Sequence, residues 1–205
     1  DGAGIGSGHY ASGQTDITIR SASVSTPEAS ADSTNNPGAG IGSGKGAKGN
    51  TAITIEGSTV KAVGGNGAAI GSGSEGDFYS PPTGTPNALK TIIHITDSNV
   101  TASSDSSAAI GSGSYSTNAT DIEITGGTVE AVGGEGAAGI GGGVYGPGRD
   151  IEISGGKVSA TGGSYSGDPR PGAAGIGDGA GAWSEIAPDA PPSNPNHIII
   201  SGDAE

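Results

Sequence analysis

The tract Gly2-Ala3-Gly4-Ile5-Gly6-Ser7-Gly8 recurs five more times, at 38–44, 67–73, 107–113, 137–143 and 173–179. Its central isoleucine stands at Ile5, Ile41, Ile70, Ile110, Ile140 and Ile176, at intervals of 29 to 40 residues. Self-similarity on that scale marks a solenoid, in which each repeat is too small to bury its own apolar face and must stack on its neighbours.

Two further short apolar pieces follow each glycine-rich tract (piece A). Piece B alternates with period two: Ile17-Thr18-Ile19, Ile53-Thr54-Ile55, Ile93-His94-Ile95, Ile122-Glu123-Ile124, Ile151-Glu152-Ile153 and Ile198-Ile199-Ile200. Piece C sets Val24, Val60, Val100, Val129 and Val158 beside small residues such as Ala62, Ala102, Ala131 and Ala160. Alternating β-branched residues bounded by Gly, Ser and Asn are strand chemistry, and no stretch keeps a helical period.

The connections are unequal. From the second Ile of B to the Val of C the offset is 5 in every coil that has both. That corner must be tight, and Gly57-Ser58, Ser98-Asn99, Gly126-Gly127 and Gly155-Gly156 are residues that tolerate positive φ. From the Ile of A to the first Ile of B the offsets are 12, 12, 23, 12, 11 and 22. From the Val of C to the next A they are 17, 10, 10, 11 and 18. Insertions therefore fall on two edges and spare the third.

The expected fold is all-β: a three-sided parallel β-helix of about six coils spanning 2–37, 38–66, 67–106, 107–135, 136–171 and 172–205 in a single domain. Right-handedness is the default expectation for parallel crossovers. Equivalent residues should pile into ladders about 4.8 Å apart, with the A, B and C residues as inner columns. The pattern is cut at both ends, so the chain reads as a segment of something longer.

Gly 43 and Pro 12 bring the composition near that of disordered chains, but disorder gives no reason to repeat an apolar register. The net charge of −13 argues against a nucleic-acid partner and against an anionic membrane surface. No apolar run reaches the ~20 residues of a membrane span. With no cysteine, disulfides and thiolate metal sites are excluded.

Four features are candidates for function. Six of the seven aromatic residues lie in A-to-B loops: Tyr10, Phe78, Tyr79, Tyr115, Tyr145 and Trp183. Tyr10, Tyr115 and Tyr145 each stand five residues after the Ile of their own A tract, which places Tyr115 beside Tyr145 in adjacent coils. Exposed rings on a polar edge suit sugar binding; the competing reading is an aromatic ladder that merely covers the corner. The outward positions of B in coils four and five carry Asp121, Glu123, Asp150 and Glu152 as one square of like charge. Such a block is either a solvated acidic face or a site for Ca²⁺, the cation that hard oxygen ligands suit, with Arg149 placed to compensate part of the charge.

Carboxylate pairs on the aromatic edge could serve a glycosidase, and Glu75, Asp77, Asp178 and Glu185 are the catalytic candidates. Asp178 stands where other repeats have Ser or Gly. Finally, if Ile5 points inward with Ala3 and Ser7, then Gly4, Gly6 and their counterparts face out. That arrangement gives a flat face for self-association or polysaccharide, unless glycine serves only a crowded corner.

Units such as Gly136-Ala137-Ala138-Gly139-Ile140-Gly141-Gly142-Gly143 followed by Asp150-Ile151-Glu152-Ile153-Ser154-Gly155-Gly156 resemble the glycine-rich repeats of large surface proteins of Gram-positive bacteria. The resemblance covers nearly the whole chain and implies a β-helical module of a secreted or wall-attached carbohydrate-active or adhesive protein. It brings no catalytic motif. The leading expectation is a noncatalytic glycan-binding module with no required cofactor. The alternatives are a polysaccharide hydrolase or lyase, and a spacer that self-associates through its glycine face or solenoid ends.

Overall fold

A computed structural model describes residues 2–26, 38–74, 89–116, 119–164, 172–181 and 197–202. Every strand pairing in it is parallel, and no helix occurs among these residues. The chain forms a parallel β-helix.

The A tracts give six strands of two residues each: β1 (Ile5–Gly6), β4 (Ile41–Gly42), β7 (Ile70–Gly71), β9 (Ile110–Gly111), β11 (Ile140–Gly141) and β14 (Ile176–Gly177). They stack in that order as one sheet. Piece B supplies β2 (Thr15–Arg20), β5 (Thr51–Glu56), β12 (Ile151–Ser154) and β15 (Ile198–Ser201), and piece C supplies β3 (Ser23–Ser25), β6 (Thr59–Gly64) and β13 (Lys157–Thr161). In coils three and four, B and C are the two halves of single long strands, β8 (Lys90–Ser104) and β10 (Ala119–Val132). B and C thus belong to one hydrogen-bonded sheet folded at a corner, and only A is separate.

The register is that expected from the repeat. Ile5, Ile41, Ile70, Ile110, Ile140 and Ile176 are successive partners, as are Val24, Val60, Val100, Val129 and Val158. The Ile and Val columns converge in one core with the Ala column of C, and in the middle coils its isoleucines are fully buried. Burial of each such side chain contributes about 1.5–3 kcal/mol, so the apolar ladders dominate the favourable side of folding.

The fixed corner between B and C has a left-handed residue two positions after the second Ile of B, at Ser21, Gly57, Asp97, Gly126, Gly155 and Gly202, and a second follows it at Gly127 and Gly156. In coil three this falls on Asp97, one residue before the Ser98-Asn99 pair expected from the sequence. Ser98 instead caps the turn, its hydroxyl donating to the Thr96 carbonyl at 2.8 Å and accepting from the Ser58 amide at 3.1 Å.

The A tract departs most from expectation. In each coil the amide two residues before the Ile donates to the carbonyl two residues after it: Ala3 to Ser7, Ala39 to Ser43, Ala68 to Ser72, Ala108 to Ser112, Ala138 to Gly142 and Ala174 to Asp178. The tract is therefore a narrow loop with the Ile at its tip, not an extended side of a triangle. The glycine after each Ile has φ between 130 and 144°, and its missing side chain would point along the stack rather than outward. A Cβ on Gly42 would lie 1.8 Å from the carbonyl oxygen of Gly71, and one on Gly71 equally close to that of Gly111. Residues 38–44, 67–74, 107–116 and 136–144 are all buried. The expected bare outer face does not form; glycine is there because backbones meet, the crowded-corner alternative.

This geometry predicts a contrast between two glycines. Gly57→Ala meets open space and carries only the left-handed penalty, so chemical denaturation should show a loss of about 1 kcal/mol. Gly71→Ala must push two coils apart and should cost at least about 4 kcal/mol or abolish folding. Equal, mild losses for the two variants would refute the close-approach account.

Candidate functional site

The A-to-B edge is built from the residue five positions after each A-tract Ile. Its amide bonds to the carbonyl of the fourth residue in the next coil: Tyr10 to Lys45 (2.9 Å), Gly46 to Ser74 (3.0 Å), Tyr115 to Val144 (2.8 Å) and Tyr145 to Ala180 (3.1 Å). The position is left-handed in every coil where it is described, with φ of 53° at Tyr10, 61° at Gly46, 59° at Tyr115, 58° at Tyr145 and 68° at Gly181. Tyr10, Tyr115 and Tyr145 do occupy one structural position, as their common offset required.

Their rings lean one coil forward. Tyr10 lies over Gly46 and Tyr145 over Gly181, each filling the space that a Cβ on that glycine would need. Tyr115 lies against Tyr145 with ring centroids 5.0 Å apart and planes inclined at 38°. The three rings differ sharply in exposure. Tyr115 is 5 % exposed, Tyr145 is half-buried, and Tyr10 is 61 % exposed. Tyr10 also stacks on the neighbouring His9 ring, with centroids 3.9 Å apart and planes at 24°. Tyr115 is therefore part of the wall and not an open ring face, as a platform role would need. His9, which its spacing marks only as a surface residue, is thus the neighbour on which the Tyr10 ring stacks. Phe78, Tyr79 and Trp183, with the acidic candidates Glu75, Asp77 and Glu185, lie outside the described residues.

Asp178 is placed by hydrogen bonding. In the first four coils the residue two after the Ile is Ser7, Ser43, Ser72 or Ser112, whose hydroxyl accepts from the amide of Gly44, Gly73, Gly113 or Gly143 in the next coil at 3.0–3.2 Å. Asp178 occupies that position in coil six and reaches back instead, its Oδ1 accepting from the Gly148 amide at 2.7 Å. This serine column is a feature that sequence reasoning missed, although the repeated Ser was visible.

The acidic block forms two neighbouring rows. Glu123 and Glu152 are register partners, and Ile122 donates to the carbonyl of Asp150, which sets Asp121 beside Asp150. Asp121 pairs with Lys90 at 2.7 Å, and His94 Nδ1 lies 3.8 Å from Glu123. The cation that answers Asp121 is thus Lys90 from the preceding coil, rather than Arg149. Among the described residues no three His, Asp or Glu side chains come together as a metal site.

Arg149 has a different origin. Thr15, Thr51, Thr91 and Thr120 form an inner column at the start of B, and Arg149 takes the fifth place, its amide and carbonyl both bonded to Thr120 Oγ1 at 3.3 Å. Coil five is one residue shorter between A and B than coils one, two and four. The shortening lies between Tyr145 and Arg149, and the next residue, Asp150, is left-handed with φ 49°. Arg149 Nε is enclosed there with no hydrogen-bond partner among the described residues.

A family model described as Beta helix repeat matches residues 53–74, 93–114, 122–144 and 151–180. Each match runs from the first Ile of B, through C, to the end of the next A tract or just beyond. The chain is a β-helix repeat protein. No curated protein and no solved structure matches it. In this β-helix repeat protein the repeat unit is the structural coil, and the tyrosine edge comes at the unit's end. No helix among the described residues is long and apolar enough to cross a membrane.

At the other end of the B face, Arg20 Nε lies 2.5 Å from Glu56 Oε2, and this hydrogen bond holds the Glu56 carboxyl below its ordinary range. Because the folded value is depressed, the pair stabilises above the unfolded carboxylate pKa and loses its effect as pH falls through the folded one. Both groups are at the surface, where such pairs contribute little. Arg20→Gln should return the Glu56 titration to the usual carboxylate range by NMR, with an almost unchanged melting temperature. An unshifted titration would show that Arg20 is not the cause.

Proposed function

We propose that this β-helix repeat protein is a noncatalytic, glycan-binding module of a bacterial cell surface, and that it holds sugar rings along the A-to-B edge. Tyr10 with His9 forms one contact and Tyr145 the other, while Tyr115 backs Tyr145 from within. Trp183, Phe78 and Tyr79 follow the same A tracts in sequence and are further candidates outside the described residues. The binding needs no metal, since Lys90 already compensates Asp121, and a chelator should leave it intact.

The observation that carries this reading is the conformation of Tyr10. A left-handed backbone costs a residue other than glycine roughly 1–2 kcal/mol. Coils two and six show what the position accepts at no such cost, because Gly46 and Gly181 occupy it. For Tyr115, burial at 5 % exposure returns about 1.5–3 kcal/mol, which offsets the strain. Tyr10, in the first described coil, is 61 % exposed, and Tyr145, with a coil on either side, is still only half-buried, so burial returns less to both than to Tyr115. Strain that packing does not repay is the kind that persists at functional sites. A ring held open over a polar corner offers a sugar its apolar face, with the loop backbone beside it for hydroxyl groups.

The two tyrosines therefore separate stability from binding. Tyr10→Gly should keep or slightly raise the melting temperature while lowering retention on immobilised polysaccharide at least about tenfold, a change of about 1.4 kcal/mol. Tyr115→Gly should lower stability by about 2 kcal/mol or more through the lost ring packing. Wild-type retention by the Tyr10→Gly protein, with its fold intact by circular dichroism, would sink the proposal. Release of reducing or unsaturated sugars from the same polysaccharides would instead favour the hydrolase or lyase alternative, for which Asp178 is the described candidate.

A further inference from the structure

Charge is unevenly distributed along the stack. In coils one and two the A-to-B edge comprises residues 5–15 and 41–51, which include His9, Lys45 and Lys48 but no Asp or Glu. In coils four and five the described residues carry six Asp or Glu against Arg149 and Lys157. A chain with a net charge of −13 thus has one locally basic edge, and that edge holds Tyr10.

The backbone gathers these residues. Gly8 to Ala11 and Gly44 to Ala47 are the same turn in successive coils, each closed by an amide-to-carbonyl bond of 3.3 Å from the last residue to the first. His9 and Lys45 are second in their turns, and Tyr10 and Gly46 are third. The Tyr10 amide donates to the Lys45 carbonyl at 2.9 Å, and the Lys48 amide donates to the Ala11 carbonyl at 2.8 Å. Lys45 and Lys48 therefore bracket Gly46, the residue against which the Tyr10 ring lies. Arg20 is tied to Glu56 and Lys90 to Asp121, whereas Lys48 is exposed and makes no ion pair among the described residues.

From this we infer that the Tyr10 contact takes a sugar ring bearing a negative group, a carboxylate or a sulfate, with Lys48 and Lys45 answering the charge beside the Tyr10–His9 stack. The inference rests on the glycan-binding reading and adds the charge of the ring that is bound. The site is made by coils one and two alone. A lysine is a point charge on a flexible stem, so it accepts either anion. The nearest described acid in coil one, Asp16, is already bonded by Gln14 Nε2 at 2.9 Å. Coils two and four are about 10 Å apart along the stack, beyond the screening length of about 8 Å at physiological ionic strength. The acids of coils four and five therefore leave the two lysines uncancelled. They would still oppose a long polyanion laid across them, so the charged ring is an isolated one or belongs to a short run.

The test is calorimetry with trimannuronate and trigalacturonate, the methyl esters of both, and sulfated mannotriose. Methyl esterification removes the charge and keeps the ring. The free acids should bind about tenfold more tightly than their esters, and added salt should narrow that gap. Lys48→Gln should weaken the acids by about fivefold, the scale of one exposed ion pair, and leave the esters and the melting temperature unchanged. Lys48→Arg should keep the preference, and Lys45→Gln combined with Lys48→Gln should abolish it. Binding of the sulfated sugar alongside the acids would support a site for either anion, and its exclusion would support a carboxylate site. Esters bound as tightly as the acids would overturn the inference and leave the glycan-binding reading in place. An undiminished preference for the acids in the double variant would overturn it as well. Failure of the whole series, with no retention of the wild type on immobilised polysaccharides, would remove both.

Discussion

The contact on which the fold depends is the meeting of a glycine α-carbon with the carbonyl of the glycine one coil on. It occurs from Gly6 onto Gly42, then onto Gly71, Gly111, Gly141 and Gly177. Any side chain at these positions would prise adjacent coils apart, and with them the Ile ladder beside the column. The narrow A loop sets the Ile at its tip, and the glycine next to it lets that tip stack at strand spacing. The apolar energy is in the isoleucines, but the glycines decide whether it can be collected.

That distinction explains what was legible. Period two, β-branched residues and a constant offset between B and C fix strand type, register and coil number, since each depends on local spacing. The direction of the missing Cβ on Gly42 or Gly71 does not follow from spacing. An alternating in-and-out reading of piece A treats it as a strand, whereas the Ala39–Ser43 hydrogen bond makes it a loop. The bare glycine face was a consequence of that assumption. The union of B and C into one sheet was hidden for a similar reason, because a corner that keeps its hydrogen bonds through Gly127 and Ser98 has the same composition as one that breaks them.

At the edge, equal offsets from Ile identified Tyr10, Tyr115 and Tyr145 as one position, and adjacency gave the Tyr115–Tyr145 stack. Exposure could not be read, because it depends on the coils on both sides of the ring. Tyr10 lies in the first described coil and is open, Tyr145 over Gly181 is half-buried, and Tyr115 is enclosed against Tyr145. Lys90 as the partner of Asp121 was hidden too, since the residues are far apart in sequence and meet only through the ladder. The one-residue shortening of coil five was visible in the offsets, but the left-handed turn at Asp150 that follows it was not.

The two sheets divide labour according to how much each corner can vary. The B-to-C corner has one or two left-handed residues and a constant length, so a change there shifts every strand above it. The A-to-B corner keeps few amide-to-carbonyl bonds to the next coil before B resumes, and it accepts offsets from 11 to 23 residues without disturbing the register. A corner that tolerates insertion also tolerates a left-handed tyrosine, because the next coil needs only its backbone. Side chains there are thus freed from the repeat that constrains all the others, which makes this the edge where a repetitive solenoid can carry a binding surface at little risk to its fold.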